Sequence, residues 1–519
     1  MVFFILCTHT SGSTHSFVWE NSMGSNGYLL GYDIGSSSIK ATLLESETGK
    51  VVASATSPKT ELDIIALRPG WAEQHPDTWW EHVKRATAEI RSTAPANLRD
   101  VKAIGISYQM HGLVAIDHQK QPLRPSIIWC DSRSVDIGNR AFSAIGGEKC
   151  LSRLLNSPGN FTASKLKWVK DNEPEIFKKI FKIMLPGDYI AMKLTGEIAT
   201  TPSGLSEGII WDFQQHKRAD FVLDNFGIPH DMIPSTAPTF SVQGGVLSDI
   251  ADELGLLAGT PVAYRAGDQP NNALSLNVLN PGEIAATAGT SGVVYGVTDL
   301  SKYDPACRVN TFVHVNYSSD APRYGILLCV NGAGILNRWM RTTMCGPDVT
   351  YDRINGLARQ APAGCEGLLV LPYGNGAERT LENRNIQACI HGINFSVHTQ
   401  GHLLRAAQEG IVFALRYGLD VMQEMGVAIH VVRAGHANMF QSPLFAEVFA
   451  TTIQADVELY NTDGSQGAAR GAGVGAGLYK GFDQAFSNLK VVKRVQPNAL
   501  LKSVYEDTYA RWKELVVKS

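Results

Sequence analysis

From Tyr28 onward, short apolar runs alternate with stretches whose apolar residues fall at helical spacing, which predicts an α/β protein. Tyr28–Ile34 and Ile39–Glu45 flank the small turn Gly35-Ser36-Ser37-Ser38 and read as a β-hairpin. Asp77–Arg91 has helical spacing, with Pro76 suited to an early helix position. Val101–Ser107 reads as a buried strand ending at Tyr108-Gln-Met-His-Gly112. Ser164–Asn172 and Ile176–Met184 both read as helices, and the stretch 199–245, rich in Gly, Pro, Ser and Thr, as mostly loop. Farther on, Pro261-Val-Ala-Tyr264 is strand-like and Pro270–Leu279 helix-like.

One pattern occurs twice. Glu283–Gly296 repeats the layout of the first hairpin, an apolar run, a Gly-hydroxyl-Ser turn and a second apolar run. Its Gly289 lies about half the chain beyond Gly35, so two similar domains facing one another are expected. Two unrelated hairpins with small turns would leave the same trace.

At 519 residues the chain exceeds one ordinary hydrophobic core, which agrees with two or more domains. Its 44% apolar and 18% charged residues are globular composition. Lys plus Arg number 46 against 49 Asp plus Glu, so charge gives no reason to expect nucleic acid or a membrane surface as partner. No apolar run approaches the length of a membrane helix. The eight cysteines never form a C-x-x-C pair and read as thiols of a reducing, cytoplasmic setting. Residues 1–26 have no period, and apolar Val2–Cys7 lacks a preceding Lys or Arg, so they read as a disordered extension rather than a secretory signal. The domain boundaries expected are 27–259 and 260–519.

The chemistry points to phosphate. A Walker-type loop is missing, since Gly49-Lys50 is followed by Val51, and the glycines of Gly471–Gly477 fit close helix packing better than a dinucleotide. In Asp33-Ile-Gly-Ser-Ser-Ser-Ile-Lys40, Gly35, Ser36 and Ser37 offer backbone N–H groups to a phosphate, and Asp33 can hold a hydrated Mg2+ beside them. Gly289 and Thr290 offer the same from the other half. Lys40 reads equally as a solvated surface lysine or a ligand. Asp268, in Arg265-Ala-Gly-Asp-Gln269, follows a strand and precedes a helix, a position that suits either a projecting catalytic base or a helix cap.

The order Asp-x-Gly-x-Ser, Met-His-Gly, Gly-Asp-Gln and Gly-Thr-Ser-Gly resembles the FGGY carbohydrate kinases, across nearly all the chain from about Tyr28. Phe161–Asn172 looks like the family's first signature. Ala388-Cys-Ile-His-Gly-Ile393 followed by His402–Glu409 looks like the second. The resemblance implies two duplicated actin/hexokinase-like (ribonuclease H-like) ATPase domains with a cleft between them. The N-terminal domain would bind sugar and the C-terminal domain nucleotide, with ATP and Mg2+ as cofactors. Gln109–Gly112 and Trp129-Cys-Asp-Ser-Arg133 resemble the xylulokinases of that family, which implies D-xylulose as substrate and Met110, His111, Asp131, Asp268 and Gln269 as sugar contacts. Asp268 would be the general base. On the nucleotide side the resemblance implies Gly334, Asn337, Gly435 and His436, although Ala434 and His436 stand where the family usually has glycine. A homodimer is compatible with it. Kinases for ribulose, gluconate or glycerol, and an actin- or Hsp70-like ATPase, are the competing readings.

Overall fold

The computed structural model describes residues 27–519, so the extension expected over residues 1–26 lies outside the described residues. The first hairpin forms where the apolar runs place it. β1 (Tyr28–Ile34) pairs antiparallel with β2 (Ile39–Glu45), and β3 (Val51–Ser57) continues the meander. α1 (Pro76–Thr93) opens on Pro76 and buries Trp79, Trp80, Val83 and Ile90 on one face. β4 (Val101–Tyr108) then lies parallel to β1, and β5 (Val262–Gly267) parallel to β4. The strand order is β5-β4-β1-β2-β3.

The second sheet repeats this plan. It comprises β6 (Glu283–Ala288), β7 (Gly292–Thr298), β8 (Asn310–Val313), β9 (Tyr324–Val330), β10 (Val431–Gly435), β11 (Val457–Tyr460) and β12 (Val491–Val495), in the order β8-β9-β7-β6-β10-β11-β12. β6 is antiparallel to β7 and parallel to β10, as β1 is to β2 and β4. β9 and β11 then flank the trio as β3 and β5 do in the first sheet. The two turns singled out by their sequence therefore occupy equivalent places in two copies of one topology.

Three expectations are corrected. A boundary after residue 259 would cut β5 from the sheet it completes, so the first unit runs through α4, described below. Ile176–Met184 is not a helix. One turn, Pro174–Phe177, is followed by a strand, Lys182–Met184, that pairs with Val114–Ile116 and buries Ile183 and Met184. Strand pairing overrides a spacing that fits either period. The loop expected over 199–245 contains helices, among them one that begins with a Thr201 cap and Pro202.

The helices that position the site are α2 (Thr162–Asn172), α3 (Pro202–Glu207), α4 (Asp268–Ser275), α5 (Ala333–Met340), α6 (Gln400–Glu424) and α7 (Gly464–Gly475). α6 is almost wholly buried and centres the second core. α7 comes from the second half of the chain yet lies on the first sheet. A Cβ on Gly31 would stand 1.9 Å from the Ser465 carbonyl oxygen, and one on Gly105 1.9 Å from that of Ala468. Only glycine admits the helix backbone this close. α4 crosses α7 where Asn271 Nδ2 donates to the Gly464 carbonyl at 2.8 Å. The lobes also join at β8, where the Asn156 side chain bonds Thr311 and the hydroxyls of Ser203 and Ser206 bond Val313.

Candidate active site

β1 delivers Asp33 to the end of the first sheet. Its carboxylate accepts from Ser107 Oγ at 2.8 Å and stands against Gly464, which has no side chain to fill that space. Burial raises Asp33 above the ordinary carboxylate value, Ser107 opposes the rise, and the nearby Asp463 adds to it. Lys40 is neither a free surface lysine nor an open ligand, because its Nζ pairs with Asp463 Oδ2 at 2.5 Å. The turn that follows is held by its own backbone, Gly35 N–H donating to Ser38 O at 3.1 Å. Neighbouring segments fix it from outside. The Ser36 carbonyl accepts from Gln74 Nε2, the Ser36 hydroxyl from Trp129 Nε1, and the Ser37 carbonyl from Leu62 N–H.

Asp268 is the first residue of α4, and Gly267 occupies the cap position, so Asp268 is not the helix's cap. Gly267 is needed because a Cβ there would meet Met110 Cγ at 2.6 Å and Glu207 Oε2 at 2.8 Å. Asp268 keeps part of its surface open, with Gln269 beside it. Burial first, and the Asp33 charge second, push its carboxyl up to about 7. Its charge also reaches Cys329 on β9, a thiol that burial raises to about 12 and that Ser291 contacts. Asp268 therefore stands beside the Met110–His111 turn, within charge range of Asp33 and of Cys329 on β9.

His111 follows β4 in a left-handed conformation, φ 60°. Its Nδ1 lies 2.9 Å from the Glu207 carbonyl oxygen. A carbonyl only accepts, so Nδ1 carries the hydrogen and Nε2 is left as an acceptor. Burial, followed by the charge of Lys165, pushes the imidazole down to about 3, and the ring is neutral at physiological pH. Phe161 packs edge-on against it at 4.8 Å, and Phe312 from β8 at 5.5 Å. Lys165, from α2, clamps the turn: its Nζ donates to His111 O at 2.8 Å and to Ile128 O at 2.9 Å. Asp131 is fully buried, and its oxygens accept from Arg133 and from Ala72 N–H. A sugar contact through Asp131 requires that ion pair to open.

Glu207 went unnoticed in the sequence. Both carboxyl oxygens are buried and, among the described residues, lack a hydrogen-bond partner, with the Tyr108 hydroxyl beside them but out of bonding geometry. Burial holds this carboxyl well above the usual range, and the Asp268 and Asp188 charges add to the rise. The cap-then-proline pair Thr201-Pro202 was the available signal for the helix that carries it.

A cavity of about 520 Å³ opens in the second lobe and brings together Gly289, Thr290, Gly334 and Asn337. Gly334 opens α5 against the second loop, where a Cβ would sit 2.0 Å from the Gly289 carbonyl oxygen. Beyond β10 the wall begins at Ala437 and continues through Asn438, Met439 and Gln441, one residue past His436. Gly435 is half-buried and His436 exposed, its N–H bonded to Tyr460 O. Neither Ala434 nor His436 has a left-handed φ, so the missing glycines cost no strain; Asn438, at φ 51°, makes the turn.

Residues 28–275 match the FGGY family of carbohydrate kinases, N-terminal domain, and residues 284–477 the C-terminal domain of that family. The chain is 28% identical over 503 residues to the xylulose kinase of Bacillus subtilis (strain 168), covering 94% of this chain and 98% of that one. The crystal structure of xylulose kinase from Rhodospirillum rubrum superposes with a TM-score of 0.84 at 27% identity, covering 95% and 98%. Gluconate kinase from Lactobacillus acidophilus shares the fold, with a TM-score of 0.86 at 22% identity, covering 95% of this chain and 98% of that one.

Proposed function

The chain belongs to the FGGY family of carbohydrate kinases, and from that premise we propose that it phosphorylates a ketopentose, D-xylulose, to D-xylulose 5-phosphate at the expense of ATP. The observation that carries the reading is Asp268. It is a half-buried carboxylate raised to about 7, within charge range of Asp33 and following a Gly267 that packs against Met110. A base works best with a pKa near the working pH.

In this reading His111 Nε2 accepts from one sugar hydroxyl while Asp268 accepts the proton of the hydroxyl that attacks the γ-phosphorus. The O–P bond forms as the bond to the β-phosphate oxygen breaks, and ADP leaves. The protein's part is positioning and charge stabilisation, with the backbone of Gly289 and Thr290 facing the phosphates. Similarity to xylulose kinases and the Met110–His111 pair support a ketose over glycerol.

Mg2+ fits this arrangement. Asp33 adds to the elevation of Asp268, a repulsion that a cation relieves. Among the described residues no three His, Cys, Asp or Glu are placed to ligate one ion directly, which suits an ion held by Asp33 through water. When bound, it supplies neutralisation of phosphate charge.

The test is ADP release against a panel of ketoses, polyols and aldonates. Strong release with D-xylulose and little with glycerol or gluconate is expected. Release that is equal with and without sugar would replace the kinase reading by an ATPase.

A further inference from the structure

Deeply buried arginines in this protein have partners. Arg124 pairs with Glu73 at 2.5 Å, Arg133 with Asp131 at 2.6 Å, Arg265 with Asp188 at 2.8 Å and Arg405 with Glu409 at 2.8 Å. Among the described residues Arg470 pairs with no carboxylate but donates to Gly49 O and Thr462 Oγ1. Arg379, which is half-buried, differs from all of them. Burial lowers its pKa, yet among the described residues no carboxylate and no hydrogen-bond acceptor takes its guanidinium.

Its position is equally unusual. Arg379 stands in a single turn, Arg379–Leu381, of the second lobe, and its guanidinium lies over the ring of Phe161 in the first, 5.5 Å from the centroid. A terminal nitrogen is 3.5 Å from where a Cβ of Gly159 would be. Phe161 is the ring that packs edge-on against His111, and the Arg379 charge contributes to the depressed pKa of that histidine. Stacking on a ring face satisfies none of the five N–H donors of a guanidinium. Its donors are left open beside the ring that packs on His111, where an oxygen ligand could take them.

We propose that Arg379 is a substrate-binding residue of the second lobe, donating to oxygens of the sugar held at His111. The proposal rests on the sugar-kinase reading and deepens it. Asp268 and His111 Nε2 accept hydrogen bonds, and Arg379 only donates. A polyhydroxy ketose has the hydrogens for the first two and the lone pairs for the third. Sugar recognition is then divided between the lobes, and the site is complete only when both face the sugar. The oxygen acceptor on the ligand is a hydroxyl or carbonyl of a ketose, with the carboxylate of an aldonate as the other source to be separated by experiment.

The full-length protein is first assayed with the ketose, polyol and aldonate panel. If no sugar is phosphorylated, the functional reading fails, whatever Arg379 does. With the accepted ketose, Arg379→Met should raise the sugar KM about 10- to 100-fold, the usual effect of losing a hydrogen bond from a charged group. The ATP KM should stay within about twofold, and Arg379→Lys should recover part of the loss. An unchanged sugar KM overturns the proposal, as does an equal rise in both KM values, which marks a merely structural residue. Ketose kinetics that are unaltered while aldonate turnover is abolished overturn the ketose assignment in favour of a carboxylate. Should the Met variant fail to fold, the sugar-against-ATP comparison in the Lys variant decides the matter by the same criteria.

Discussion

At Asp268 the environment separates a base from a helix cap. Asp268→Asn preserves size but cannot accept a proton, so kcat should fall by about 10²- to 10⁴-fold in a steady-state assay, with sugar binding by calorimetry little changed. Stability should move the other way. The folded carboxyl titrates near 7 and the unfolded one near its ordinary value of 3.8, so the native state binds the extra proton between them and stability declines as pH rises through that window. Removing the charge should therefore stabilise the protein at pH 8, by ~1–4 kcal/mol in thermal or denaturant unfolding. A cap would show little change, since Asn caps a helix about as well as Asp. The same titration predicts an acid limb in kcat/KM near pH 7 that disappears from the residual activity of Asp268→Asn. His111, held near 3, cannot supply that limb. His111→Ala should raise the sugar KM or lower kcat/KM by about 10- to 1000-fold and leave ATP affinity unmoved, read from initial rates with each substrate varied in turn. Asp33, Met110, His111 and Asp268 were legible because each belongs to a compact motif at a strand end. Glu207 and Arg379 were not, since a lone acid or base in a loop-like or turn-rich stretch has no local pattern, and only the tertiary fold reveals that it lacks a partner.

Among the elements, hairpins and long helices could be read because apolar periodicity and turn residues agree. β1, β2, β6 and β7 follow it closely. The segment 176–184 could not, because its apolar residues fit a strand and a helix equally until Val114–Ile116 supplies a partner. The nucleotide wall was legible only in part. Glycine was the expected device after β10, but the chain turns through Asn438, a residue tolerant of left-handed φ. Where glycine is truly required is Gly334. Gly334→Ala forces α5 away from the Gly289 carbonyl, so the ATP KM should rise by about tenfold or more while the sugar KM changes little. Initial rates at varied ATP check this, and unaltered ATP kinetics would remove the α5 terminus from the nucleotide site.

For the molecule as a whole, duplication was visible in two similar turns, but the division between the copies was not. A repeat spacing locates equivalent points, whereas the edge of a domain is set by the last strand to join its sheet, here β5. The packing of α7 on Gly31 and Gly105 has a further consequence, in the order of events during synthesis. The first lobe leaves the ribosome early, yet a helix that covers its sheet is not made until residue 475. An N-terminal half that would ordinarily fold as it emerges must wait, with a face of its sheet open, for nearly the whole chain. A fragment spanning residues 27–275 should accordingly show no cooperative thermal transition by circular dichroism, and a sharp one would mean that the late helix is dispensable. Early termination of translation then yields not a working half but a chaperone client, and any arrest between residues 267 and 464 leaves the first lobe unfinished, although every strand of its own sheet has been made.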